Sequence, residues 1–485
     1  LNSLPIPQDA RAPVAQPVRP YEYAAVLLIF CGALALRAWN AHVQALWNDE
    51  AFSWAITRGS LGEAMEQIRA DFHPPGYYFL LCLWQKAVGD SVFALRLLSI
   101  LAGSASVLIS GYAAAILLGR RVGWLTGCLL AVQPTHILWS QIARGYAVGY
   151  LFASIALAGC AKLYFSRNAR EQYLGLALLV VGATGACYIH NTGLLLLGTL
   201  DVALACCYWR LGKLSRLGPL LLANFLVALA YLPWLPSFLD QSARMAAQKT
   251  DHFEASPYAT ANWGTYLGGF TESLFAEHLW GLRPLMLVLA IGLMILGAWV
   301  GRRRVEWSIL YVCLLLPPLC FAAGYLSGKP VFAYMFLISR WYHLPMVMAC
   351  AYGLSVLMDM RPSAGKAAAG GLAILALWSA YNATHAPRIA WDQITRQAAS
   401  QGYGVALYAA NLQAYWAPLY YAGPGATVGL LAQTDAERLP RSLVAFANTG
   451  DDADLRAWET KGGREFSRVS TSCSRGACAI VFERR

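Results

Sequence analysis

Two carboxylates stand side by side in Trp47-Asn48-Asp49-Glu50, directly after an apolar run at 24–39. A second polar stretch, Asp71-Phe72-His73-Pro74-Pro75-Gly76-Tyr77-Tyr78, delivers a His and two Tyr from a stiff proline turn. A third, Ser140-Gln141-Ile142-Ala143-Arg144-Gly145-Tyr146, carries one Arg between apolar runs, and a late one carries Lys329-Pro330 and Arg340-Trp341-Tyr342. Each alone has an ordinary reading: an acidic pair can be a solvated loop, and a lone Arg or Lys an interfacial anchor whose stem lies along apolar surface. As a set they suit one kind of chemistry. A carboxylate accepts the proton of a hydroxyl nucleophile while cations neutralise charge growing on a phosphate leaving group. Arg matches phosphate through its two-pronged donors, and aromatic rings suit sugar faces and the lipid boundary. That combination describes transfer of a sugar from a lipid-phosphate carrier to an acceptor hydroxyl at a membrane surface.

The elements that must position these residues are membrane helices. Of 485 residues only 13% are charged, against about 25% in soluble domains. Hydrophobic residues reach 58%, and the mean hydropathy is +0.46. So few charges cannot cover a water-soluble surface, and disordered, collagen-like and small disulfide-scaffold chains are excluded too. Apolar runs near 24–39, 92–118, 122–138, 147–164, 172–189, 192–209, 217–236, 283–300, 307–326, 341–359 and 367–384 predict about eleven spans. No small-residue cleavage site follows the first, so it reads as a retained span, not a removed signal peptide.

The net charge of +11 is not the footprint of a nucleic-acid binder, because the basic residues fall in short clusters between the runs. Arg11/Arg19, Arg120/Arg121, Lys162/Arg167/Arg170, Arg210/Lys213/Arg216, Arg302/Arg303/Arg304 and Arg361/Lys366 all fall on one side if the spans alternate. The positive-inside bias makes that side the cytoplasm. Loops 40–91, 139–146, 190–191, 237–282 and 327–340 and the tail from about 385 then lie on the opposite side. Residues 73–89 are too short an apolar stretch to span comfortably and are read as a helix at the outer interface, with Trp84 and Lys86 as anchors. The middles of the spans read as apolar.

The last hundred residues differ. Residues 404–408 and 442–447 look like strands and 453–460 like a helix, and two further strands flank a Gly-containing turn near the end. The expected organisation is a cytoplasmic tail (1–20), a transmembrane catalytic bundle (21–385) and a small α/β domain outside the membrane (386–485). Cys473 and Cys478 flank the final turn and are expected to pair in an oxidising compartment. The other ten Cys lie in apolar runs and read as inert small hydrophobes. His190 and His252 read as solvated loop residues, and the long 237–282 loop as a cover for one substrate or an entry for the other.

The residues also resemble a family. WNDE after the first span, HPPGYYFLL, ALRLLS, SQIARGY and KPVF…RWYHLP occur in an order that resembles the GT-C superfamily of membrane glycosyltransferases. The likeness is to its bacterial branch of protein O-mannosyltransferase-like, aminoarabinose transferase-like and rhizobial galacturonosyltransferase-like enzymes, over about residues 20–385. It implies an all-α polytopic bundle in the bacterial inner membrane, with interfacial helices in the first external loop. It implies a polyprenyl-phosphate sugar as donor, a lipid, glycan or protein as acceptor, and inverting single displacement on the outer face. By position, Asp49 resembles the family's general base, with Glu50 completing the acidic pair. Arg144 and Arg340 resemble donor-phosphate ligands, joined by Lys329, while Trp47, His73, Tyr77, Tyr146 and Tyr342 line the cavity. No cofactor is implied with certainty. Arg144 stands where some relatives carry an acidic residue that helps bind a divalent ion, which argues against a metal. A transporter or flippase would instead place ionisable groups at mid-span, and an O-antigen-ligase-like enzyme would use a large external loop rich in Arg and His.

Overall fold

A computed structural model describes residues 19–247, 282–326, 341 and 343–485, apart from 386–388, 401–406, 411–413, 423–426, 435–438, 449–451, 462–464 and 476. Lys329, Arg340, Tyr342, His252 and most of the 237–282 loop lie outside the described residues. The fold is mainly helical, a multi-pass membrane bundle with a small C-terminal sheet. The helices run α1 (Pro20–Ala38), α2 (Asn48–Thr57), α3 (Leu61–Ala70), α4 (Gly76–Val88), α5 (Val92–Leu118), α6 (Arg120–Ala131) and α7 (Pro134–Ser140). They continue as α8 (Tyr146–Phe165), α9 (Ala169–Ile189), α10 (Gly193–Arg210), α11 (Gly218–Tyr231) and α12 (Leu235–Ala247). After the fourth loop come α13 (Arg283–Gly301), α14 (Trp307–Leu326), α15 (His343–Met360) and α16 (Pro362–His385).

Among the described residues, eight helices are long and apolar enough to cross a membrane: α1, α5, α8, α9, α10, α11 with its preceding turn, α13 and α15. Two of the remaining expected spans form helices, α14 and α16, without meeting that measure over described residues. The run at 122–138 is a correction. It is not one helix, because Pro134 has no N–H to give and forces Gln133 into an extended conformation (φ −68°, ψ 118°), so α6 ends and α7 starts afresh.

The residues divide into two compact units, Leu1–Trp39 with Met65–Tyr77 and Leu97–Thr384, and Asn40–Ala64 with Tyr78–Arg96 and His385–Arg485. The first is the bundle. Its helices approach closely where small residues meet: a Cβ on Gly159 of α8 would sit 2.3 Å from the Leu179 backbone nitrogen of α9. Such contacts replace a hydrophobic drive, which lipid does not supply.

The second unit joins parts of the first external loop to the C-terminal region. It adds α17 (Trp391–Ser400), β1 (Leu407–Ala409), α18 (Trp416–Ala422), β2 (Val428–Leu430), β3 (Ser442–Asn448), α19 (Asp452–Lys461), β4 (Phe466–Ser474) and β5 (Ala477–Arg484). The sheet order is β2-β1-β3-β5-β4, parallel through β2, β1 and β3 and antiparallel through β3, β5 and β4. Central β3 is buried from Leu443 to Ala447, as a strand covered on both faces must be. Trp458 of α19 packs with Phe466 and Phe482 beneath it. Cys473 and Cys478 face each other across the β4–β5 hairpin and form a disulfide.

Candidate active site

Asp49 and Glu50 lie in the first turn of α2, where exposed backbone N–H groups favour negative charge. Their surroundings differ. Glu50 is fully buried, and its two oxygens accept from Arg96 Nε and Nη2, each at 2.8 Å. Glu50 Oε2 also accepts the Trp47 N–H at 2.8 Å, closing the helix start. Arg96, from the opening of α5, donates its remaining hydrogens to the carbonyls of Ala41, Gln44 and Ala45 at 2.7–2.9 Å. Glu50, expected to complete a catalytic acidic pair, is held by a bidentate guanidinium and a backbone amide, and so organises the loop. Asp49 stays half-buried beside it, and Trp47 precedes the helix with 43% of its surface exposed.

The bundle unit gathers a second set of polar groups. His73 Nδ1 lies 2.9 Å from Asp71 Oδ2, and its Nε2 lies 3.3 Å from Arg144 Nη2. A guanidinium only donates, so Nε2 accepts and Nδ1–H donates to Asp71. Burial would raise the Asp71 carboxyl, but the His73 ring, the Phe72 amide and the Arg144 guanidinium overcome it and hold the group down at about 2. The His190 ring lies 6.1 Å from that of His73 and leans on Thr192 Oγ1 at 2.9 Å. Burial first, then the neighbouring His73 and Arg144, push it down to about 3. His190 thus belongs to this cluster, not to a solvated loop. Local packing fixes the arrangement. Gly76 lets the proline turn meet the end of α9, since a Cβ there would lie 2.6 Å from the Tyr188 carbonyl oxygen. From α12, Gln241 and Arg244 cap the last carbonyls of α3, at Ile68, Arg69 and Ala70, just before Asp71.

Of the other expected cavity residues, Tyr77 is buried at the start of α4. Tyr146 opens α8 with its ring 4.2 Å from that of Trp139. Among the described residues no group of three or more His, Cys, Asp or Glu is placed to hold a metal ion. His73 and Arg144 are brought together; Asp49 belongs to the other unit.

The span interiors are not uniformly apolar, which corrects that expectation. Arg37 near the end of α1 is fully buried, donating to the carbonyls of Ala33, Leu130 and Ala131 and to His136 Nδ1 at 2.9 Å. His136 Nε2 in turn faces Ser106 Oγ at 3.0 Å. The guanidinium caps the end of α6 where Pro134 breaks the helix. On α10, Asp201 accepts from Asn224 of α11 at 3.0 Å. Arg37, Arg96 and Asp201 each carried a sequence signal, a charge inside an apolar run.

No family model matches the chain, and no curated protein matches it in sequence. Solved structures do match in fold. ArnT from Cupriavidus metallidurans bound to undecaprenyl phosphate is 13% identical with a TM-score of 0.59, over 94% of this chain and 98% of that one. The same protein in the apo state gives 13% and 0.53, over 95% and 98%. The Archaeoglobus fulgidus oligosaccharyltransferase, in complex with Zn and sulfate, gives 12% and 0.56, over 94% of this chain and 72% of that one. The chain therefore has the fold of these two GT-C glycosyltransferases, the superfamily that its ordered loop motifs resemble.

Proposed function

We propose that this protein transfers a sugar from a polyprenyl-phosphate carrier to an acceptor hydroxyl at the outer face of the bacterial inner membrane, by inverting single displacement. The observation that carries the reading is the fold shared along 94% of the chain with an ArnT structure that holds undecaprenyl phosphate. Asp49 is the general base. The acceptor hydroxyl attacks the anomeric carbon as the bond to the carrier phosphate breaks, and Asp49 takes the hydroxyl proton. An acceptor alcohol is far less acidic than a carboxylic acid, so this transfer runs late, as the new bond acidifies the oxygen. The polyprenyl phosphate leaves as an anion, and Arg144, with Arg340 and Lys329, neutralises it. Trp47, His73, Tyr77, Tyr146 and Tyr342 are the residues this reading assigns to substrate binding. Glu50 contributes by holding the start of α2. The acceptor is a lipid, glycan or protein hydroxyl.

The test incubates purified protein with a panel of polyprenyl-phosphate sugars and acceptors and follows release of the lipid phosphate. Turnover with at least one donor, and inversion at the anomeric carbon, is the expected result. Absence of turnover across the panel in folded protein, or retention of configuration, contradicts it.

A further inference from the structure

The segment that leads into Asp49 is held from two directions, and one of them is the C-terminal region. Between α1 and α2 the chain has little regular structure, so the place of Asp49 depends on what fixes residues 41–50. Arg96 and Glu50 fix the carbonyls of Ala41, Gln44 and Ala45 and the Trp47 amide. Helix α18 adds further contacts. The Leu46 N–H, on a fully buried residue, donates to Tyr421 Oη at 2.6 Å. The N–H of Trp416, the first residue of α18, donates to Asn48 Oδ1 at 3.1 Å. Ring contacts continue along the two helices, Phe52 against Trp416 at 5.2 Å and Trp54 against Tyr420 at 5.0 Å. Residues 46 and 48, on either side of Trp47 and just before Asp49, are thus tied to α18, all inside one compact unit.

We propose that Tyr421 is a positioning residue for Asp49, and that the C-terminal region is a working part of the catalytic unit, not an appended domain. This rests on Asp49 as the general base. Loss of the Tyr421 hydroxyl leaves the buried Leu46 N–H without its acceptor and lets the start of α2 drift. A displacement of about 1 Å costs up to about a hundredfold in rate when the group displaced takes part in the chemistry. Burial raises the Tyr421 phenol, so Leu46 faces a neutral hydroxyl through the working pH range.

The experiment compares Tyr421→Phe with Tyr420→Phe in the full-length membrane protein. Tyr420 is a control on the same helix whose hydroxyl donates to the Asp90 carbonyl, away from residues 41–50. Two readouts are taken: kcat and KM for a polyprenyl-phosphate sugar, and backbone hydrogen exchange across 41–50. Tyr421→Phe is expected to lower kcat about tenfold or more and to speed exchange about fivefold or more, with KM for the donor unchanged. Tyr420→Phe should change neither. Asn48→Ala, which severs the other link, should reproduce the split between kcat and KM. Wild-type kcat in Tyr421→Phe, unaltered exchange, or equal losses in both tyrosine variants would overturn the proposal. The reading beneath it fails separately, by full turnover in Asp49→Asn, because the exchange arm measures the link to α18 without any reaction.

Discussion

Asp49 and Glu50 are neighbours with the same chemistry and different surroundings. Glu50 is fully buried against Arg96, while Asp49 keeps a partly open face at a helix start. Glu50→Gln would leave a buried guanidinium without its counter-charge, which costs about 3–5 kcal/mol. A melting curve should show a marked fall, and a variant as stable as wild type would contradict the positioning role. Arg144→Ala should weaken binding of polyprenyl phosphate at least tenfold, as expected for loss of a charge-assisted contact worth about 1.5–3 kcal/mol. Unchanged affinity in a direct binding assay counts against Arg144 as a phosphate ligand. His190 gives a pH prediction. Its folded value, about 3, lies below the ordinary 6.5, so the unfolded chain protonates first as pH falls. The stability that neutral His190 contributes is complete above about 6.5 and is lost as pH drops towards 3. The melting temperature should fall more steeply between pH 7 and 4 in wild type than in His190→Asn, and parallel curves would contradict this. The acidic pair was legible in the sequence as a pair. The difference between their surroundings was not, because it depends on Arg96, 46 positions away.

Helix ends place these side chains. Glu50 closes the start of α2, Arg244 and Gln241 close the end of α3, and Arg37 closes the end of α6. These polar groups therefore have static partners. The same holds for Asp201 and Asn224, one hydrogen bond between α10 and α11, of a kind worth about 0.6 kcal/mol on average in membranes. Asp201→Asn should keep sugar transfer near the wild-type rate with a small loss of thermal stability. Abolished turnover would instead suit a proton path of the kind transporters use. Hydropathy found where the helices are because burial in lipid needs long apolar runs. It hid the break at Pro134 because averaging over a window dilutes one residue, and it passed over Arg37 for the same reason. From their own residues α2 and α3 read as a loop, since short helices with mixed surfaces have no span signal, and only the family resemblance implied interfacial helices there.

At the scale of the molecule, the fold was the most legible property, since about eleven apolar runs and a C-terminal stretch of alternating strands leave few alternatives. The composition of the compact units was not legible, because residues 40–64 and 78–96 join 385–485 through side-chain contacts that no local pattern announces. The parallel pairing of β2 with β1 was missed for a related reason: strands of three residues carry too little periodicity. The proposed mechanism turns on a carboxylate at the start of α2 that drives release of a polyprenyl phosphate. The most direct test measures that release by purified wild-type and Asp49→Asn protein on the same donor and acceptor. The account predicts turnover by wild type and a loss of about 10²–10⁴-fold in a folded, donor-binding variant, the range of general-base catalysis; equal turnover by the two proteins would contradict it.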